Sequence, residues 1–168
     1  MLEVKDISVE NSITINGKTV NAETIRRVPV RFPEIFSGDA WSIWVPGNAK
    51  IERYIGGSNK TNTSYYYFKI PEDFVSFPTN AFGIDTRRTG SNPDLRVTMY
   101  KNGVVDSTID DISLKATAIN DTWENKRATP GSTYAVGDDV IIKIVTTTGV
   151  GAGNFNAIGS IDIKYLGK

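Results

Sequence analysis

Apolar and polar residues alternate with a period of two along nearly every structured stretch of this chain, and that period belongs to β-strands. Ser12-Ile13-Thr14-Ile15, Asn16-Gly17 and Lys18-Thr19-Val20 form the clearest local signal. Asn-Gly supplies two residues tolerant of positive φ, as a two-residue type I′ turn demands, and β-branched residues flank it. A second hairpin rises over residues 95–100, turns at Lys101-Asn102-Gly103 and returns over 104–109. Between the two, the runs 24–32, 41–45, 50–55 and 64–70 are short and rich in β-branched or aromatic residues, with Gly, Pro, Asn or Asp at their ends. Pro29 places its own run at a sheet edge or a bulge.

The last third alternates most regularly. Val140, Ile142, Ile144 and Thr146 point one way, and the small-residue loop 149–153 reverses the chain. Phe155, Ala157, Gly159, Ile161, Ile163 and Tyr165 then line one face of a final strand, with Asn154, Asn156, Ser160, Asp162 and Lys164 on the other. Ile112, Leu114, Ala116 and Ala118 alternate in the same way, and only 71–77, opening on Pro71, suits a short helical turn. About a dozen short strands at even spacing, with no βαβ rhythm, predict an all-β antiparallel β-sandwich of jelly-roll-like type. Residues 1–22 read either as an arm or hairpin ahead of a sandwich over 23–168, or as strands of the same sheets.

Composition narrows the chemistry. The chain of 168 residues contains no His and no Cys. His is the usual general base near neutral pH and the commonest metal ligand; Cys is the other ready nucleophile. Neither a catalytic residue nor a cofactor nor a metal is therefore expected. A domain of this size buries about 70% of its unfolded surface and needs no covalent staple. The 19 basic and 19 acidic side chains cancel, so no global field draws in nucleic acid or an anionic membrane. No stretch approaches the ~20 apolar residues of a membrane helix. Charges in Met1-Leu2-Glu3-Val4-Lys5-Asp6 stand where a signal peptide carries its apolar run, which points to synthesis in a cytoplasm without export.

The remaining candidates are aromatic and acidic. Asp106, Asp110 and Asp111 cluster, as do Asp138 and Asp139; loops of this kind either turn the chain or hold a hard cation, and no spacing matches a calcium loop. Glu52, Glu72, Asp73 and Asp85 are the acids from which a glycosidase pair would be drawn, without any specific motif. Arg26, Arg27, Arg31 and the turn candidates Arg87 and Arg88 read as solvated or ion-paired surface. Trp41, Trp44, Tyr54, Tyr65, Tyr66, Tyr67, Phe68 and Trp123 divide between two strand faces. Tyr66, Phe68 and Ile70 share one face, which leaves Tyr65 and Tyr67 on the other. Such aromatics serve a buried double-sided strand, a protein interface or a sugar-stacking platform. Tyr65, Tyr66, Tyr67, Trp41 and Trp44 are the interface candidates.

Residues 129–144, Thr-Pro-Gly-Ser-Thr-Tyr-Ala-Val-Gly-Asp-Asp-Val-Ile-Ile-Lys-Ile, and the closing Gly159-Ser160-Ile161-Asp162-Ile163-Lys164-Tyr165 resemble the end of a viral β-sandwich. The pattern is similar to virion accessory proteins of tailed bacteriophages: capsid decoration, head-fibre and tail-fibre-tip proteins. That resemblance implies a non-enzymatic, homo-oligomeric structural protein, most simply a homotrimer, bound to a viral capsid or tail protein in the virion. An arm over residues 1–21 would then add a strand to the shell. The alternative is a carbohydrate-binding or receptor-binding module that meets a host-surface glycan through Trp41, Trp44 or Trp123. A β-sandwich hydrolase or lyase is the third reading.

Overall fold

Every regular element among the described residues is a strand, as the period-two pattern requires. The computed structural model describes residues 12–15, 18–21, 24–28, 35–38, 42–44 and 52–168, with side chains at 25–28, 38 and from 55 onward. The first strands are β1 (Ser12–Ile15), β2 (Lys18–Asn21), β3 (Thr24–Val28), β4 (Ile35–Gly38), β5 (Ser42–Trp44) and β6 (Glu52–Gly56). Next come β7 (Thr61–Lys69), β8 (Phe74–Ser76), β9 (Phe82–Thr89), β10 (Asp94–Lys101) and β11 (Val104–Val105). The chain closes with β12 (Ile112–Ser113), β13 (Glu124–Ala128), β14 (Asp139–Thr147) and β15 (Phe155–Gly167).

β1 and β2 form a separate two-stranded sheet with Ile15 opposite Lys18, so the first expected hairpin is present. Six strands make one larger sheet in the order β11-β10-β14-β7-β4, with β12 also on β10. Seven make the other, β13-β9-β15-β6-β5, with β3 and β8 also on β15. All pairs are antiparallel, and the two larger sheets close face to face as the expected sandwich. Tyr66, Phe68, Leu95, Val97, Met99, Val140, Ile142 and Ile144 enter the core from the first sheet. Phe82, Ile84, Ile158, Ile163 and Tyr165 meet them from the second. Each such side chain contributes roughly 1.5–3 kcal/mol when removed from water.

One end of the interior is polar. Asn62, Ser64, Thr146 and Thr148 from one sheet, and Thr86, Arg88 and Asn156 from the other, are all buried. A buried polar group is costly unless bonded. Ser64 Oγ donates to Asn62 Oδ1 at 2.7 Å, and Asn156 Nδ2 to the Asp94 carbonyl at 2.9 Å. Arg88 donates to the carbonyls of Ala116 and Ser91 at 2.7 and 2.9 Å. The expectation of Arg87 and Arg88 in a solvated turn is thus corrected: both lie in β9 and are buried.

Three local expectations also change. Residues 71–77 do not form a helical turn; Phe74–Ser76 is a strand on β15. Only Ile112–Ser113 of the alternating run 112–118 pairs as a strand. The final strand does not keep one face throughout, because its register against β9 shifts between Ile158 and Ile161. Ile158 faces Thr86 and Ile161 faces Ile84, so β15 holds one residue more than its partner there. The extra residue inverts the alternation. Asn156 and Ile158 point inward before the bulge, Ile163 and Tyr165 after it, and Phe155 and Ala157 lie on the opposite side. The loop 149–153 carries the chain from one sheet to the other rather than joining two neighbours. The turn between β6 and β7 crosses beside it, with Asn59 N donating to the Gly149 carbonyl at 2.6 Å.

Candidate functional site

β7 alternates strictly, so that Tyr66 and Phe68 are buried at 3% and 6% exposure while Tyr65 and Tyr67 stand out at 36% and 57%. Its neighbour β14 does the same, burying Val140, Ile142, Ile144 and Thr146 and turning Ile141, Lys143 and Val145 outward. Residues directly opposite in a sheet share a face, with Cβ atoms about 4.5–5.5 Å apart. Tyr67 pairs with Ile141, Ile141 with Tyr100, and Tyr100 with Val105. This row crosses four strands, a span of about 14 Å at ordinary strand spacing. Beside it, Tyr65 pairs with Lys143 and Lys143 with Thr98. Three tyrosines from two strands therefore share the outer face of the six-stranded sheet with a lysine among them.

Polar groups rim this face. The Tyr67 hydroxyl donates to Asp139 Oδ1 at 2.6 Å, and Lys69 Nζ lies 3.6 Å from the same oxygen. The bond to Asp139 holds the Tyr67 proton and raises its pKa above the ordinary phenol value. Arg96 is occupied by Asp111, with Nε 2.9 Å from Oδ2, and by Asp94 at 3.4 Å. Asn102 and Gly103, both at positive φ, make the tight turn that carries β10 into β11. Asn102 Nδ2 then reaches Asp138 at 2.7 Å and ties that turn to the start of β14.

The candidate residues divide accordingly. Tyr65 and Tyr67 are surface groups, and Tyr66 belongs to the core, which removes it from any interface. Trp41 lies outside the described residues; Trp44 ends β5, and its side chain lies outside them too. Trp123 sits on the outer face of the other sheet, where Arg87 is layered between it and Phe155 at 5.2 and 5.1 Å. Arg87 also pairs with Asp121. Gly159 leaves room for the indole, since a Cβ there would stand 3.0 Å from its ring. Tyr100, Ile141 and Lys143 are the members that strand-by-strand reading misses. The outward parity of Ile141 and Lys143, opposite to Val140 and Ile142, was their available signal.

Asp106, Asp138, Asp73 and Asp85 have protein partners. Asp106 is fully buried and takes hydrogen bonds from the backbone of Thr108, Ile109, Gly131 and Ser132. Asp138 accepts from Ala135 N and Asn102, and the Ala135 bond leads in holding its carboxyl below the usual range. Asp73 is met by Arg26 at 2.5 Å and the Tyr165 hydroxyl at 3.0 Å. Asp85 accepts from Asn125 at 2.7 Å and Ser160 at 2.5 Å. Among the described residues no group of three His, Cys, Asp or Glu is placed to hold a metal ion. Asn62, the first residue of an Asn-Thr-Ser triplet, is fully buried.

No family model and no curated protein matches the chain. Solved structures with a similar arrangement include TmCBM61 in complex with β-1,4-galactotriose: 13% identity, 82% of this chain, 87% of that one, TM-score 0.41. CsCBM6-3 from Clostridium stercorarium in complex with cellobiose gives 16% identity over 81% of this chain and 88% of its own, with a TM-score of 0.39. The CBM36-1 domain of a multidomain xylanase from the hindgut metagenome of Trinervitermes trinervoides gives 14% identity, 88% and 98% coverage, and a TM-score of 0.35. No ligand passes from those proteins to this one at such values. The expectation of a tailed-bacteriophage virion protein, whether capsid decoration or head fibre, is corrected here: the solved structures of similar arrangement are carbohydrate-binding modules and catalytic domains of a GH87 alpha-1,3-glucanase. The terminal strands behind that expectation are two central strands of opposite sheets.

Proposed function

We propose that the chain is a non-catalytic module that binds carbohydrate on the outer face of its six-stranded sheet. The observation that carries this is the placement of Tyr65 and Tyr67 on β7 and Tyr100 on β10, two strands on either side of β14, on one outer face of the sheet. The negative face of an aromatic ring attracts the weakly positive C–H side of a pyranose. Tyr67 and Tyr100 stand two strand spacings apart, about 10 Å, so successive sugars meet successive stacking partners and an oligosaccharide suits the face better than a single sugar. Lys69 and the tyrosine hydroxyls stand at hand for the sugar hydroxyls, which is the usual mix of apolar lining and few polar groups. Hydrolysis would need two facing acids. Asp139, next to Tyr67, is already engaged by Tyr67 and Lys69.

A glycan array followed by isothermal titration tests the reading. Binding should weaken about tenfold, or ~1.4 kcal/mol, in Tyr67→Ala and in Tyr65→Ala. The same face also suits a second copy of this chain, because Val105 and Tyr67 expose apolar surface at 39% and 57%. An oligomer in light scattering that dissociates on Tyr67→Ser, with no glycan bound, would overturn the carbohydrate reading in favour of self-association.

A further inference from the structure

We infer that the glycan is acidic, a chain carrying uronate carboxylates, and that Lys143 reads the acid; this rests on the carbohydrate reading above. Among the described residues, the charges of the tyrosine face are balanced with one exception. Lys69 lies against Asp139, and Arg96 is held by Asp94 and Asp111. Lys143 projects from the central strand between Thr98 and Tyr65, and no carboxylate among the described residues pairs with it. The residue is of intermediate exposure, and an unpaired ammonium gains more from an incoming anion than one already held by a carboxylate.

Position makes the gain specific. Tyr65 is directly opposite Lys143, so a pyranose stacked on Tyr65 has its edge about 5 Å from the lysine strand. A carboxylate on that edge meets the ammonium, whereas the hydroxymethyl of a neutral sugar offers it only a dipole. Asp139 does not oppose this, because it lies four residues along β14, about 13 Å away. A uronate at Lys143 is thus attracted locally and spared the acidic end of the face.

The test compares uronate oligosaccharides of several linkages, galacturonate, mannuronate and guluronate tetramers, each against its carboxyl-reduced neutral counterpart, by isothermal titration. At least one uronate should bind about two- to fivefold tighter than its reduced form, the effect of a partly exposed ion pair. The difference should vanish in about 1 M salt, where the Debye length is ~3 Å. Lys143→Gln should remove it, bringing the uronate down to the affinity of its reduced form, and Lys143→Arg should retain it. Equal affinity for every acid and its reduced form, or a preference that survives Lys143→Gln, would overturn the inference while the carbohydrate reading stands. Absence of binding to acidic and neutral oligomers alike would overturn both.

Discussion

Tyr134 donates its hydroxyl hydrogen to Asp106 Oδ2 at 2.8 Å, and the pair joins the turn after β11 to the loop before β14. Burial by itself would raise the Asp106 carboxyl. The backbone N–H groups of Gly131, Thr108 and Ser132, with the Tyr134 hydroxyl, outweigh it and hold the acid far below the usual carboxylate range. Tyr134 moves the other way, raised by its burial and then by Asp106. Two loops at the border of the tyrosine face are therefore anchored by one ionised side chain.

Neutralising that anchor should be expensive. Asp106→Asn puts an amide where five donors converge and should lower the unfolding free energy by about 2–3 kcal/mol. Tyr134→Phe removes one donor and keeps the ring, at a cost of about 1.5 kcal/mol. Urea unfolding followed by circular dichroism measures both; an Asp106→Asn variant as stable as the parent would refute the anchoring role.

Acid should weaken the fold in a defined direction. Asp106 is depressed, and Glu124 is lowered to about 2, first by its bond with Lys126 and then by Ala118 N. The unfolded chain then binds more protons than the folded one, so stability is complete above about pH 5 and falls as the pH drops toward 2. Urea midpoints at successive pH values should decline over that window, and the decline should be shallower in Asp106→Asn and in Glu124→Gln.

Gly159 and Trp123 should behave as a coupled pair. A methyl at Gly159 would sit 3.0 Å from the indole and force it off Arg87, for a cost of about 1–3 kcal/mol in Gly159→Ala. In Trp123→Ala the obstacle is gone, so adding Gly159→Ala should cost much less. A double-mutant cycle that came out additive would show that the two do not touch.

Adjacent tyrosines should give opposite phenotypes. Tyr66→Ala empties a core position and should destabilise by about 3–5 kcal/mol. Tyr67→Ala removes an exposed ring and should change stability by about 0.5 kcal/mol while reducing glycan affinity. Thermal melting and titration on the same preparations separate the effects.

Local chemistry was enough for the class of fold. β-branched alternation, Asn-Gly turns and the absence of any helical period specified antiparallel strands, and period two put Tyr65 and Tyr67 opposite Tyr66 and Phe68 before any contact was known. The bulge in β15 was less legible. Gly159 hinted at it, but an extra residue is defined only against a partner, here β9, about seventy residues upstream in the chain.

The site needed the tertiary structure. Nothing within residues 61–69 says that 139–147 will lie beside them, or that 94–101 will lie beyond. Pairing brings Tyr100, Ile141 and Lys143 to Tyr65 and Tyr67 across more than seventy residues of β7–β14 separation. Side-chain direction follows from a local period, whereas strand order and register follow from which assembly buries the two apolar faces best. The sequence by itself determined which tyrosines face outward, and only the closed sandwich decided what stands next to them.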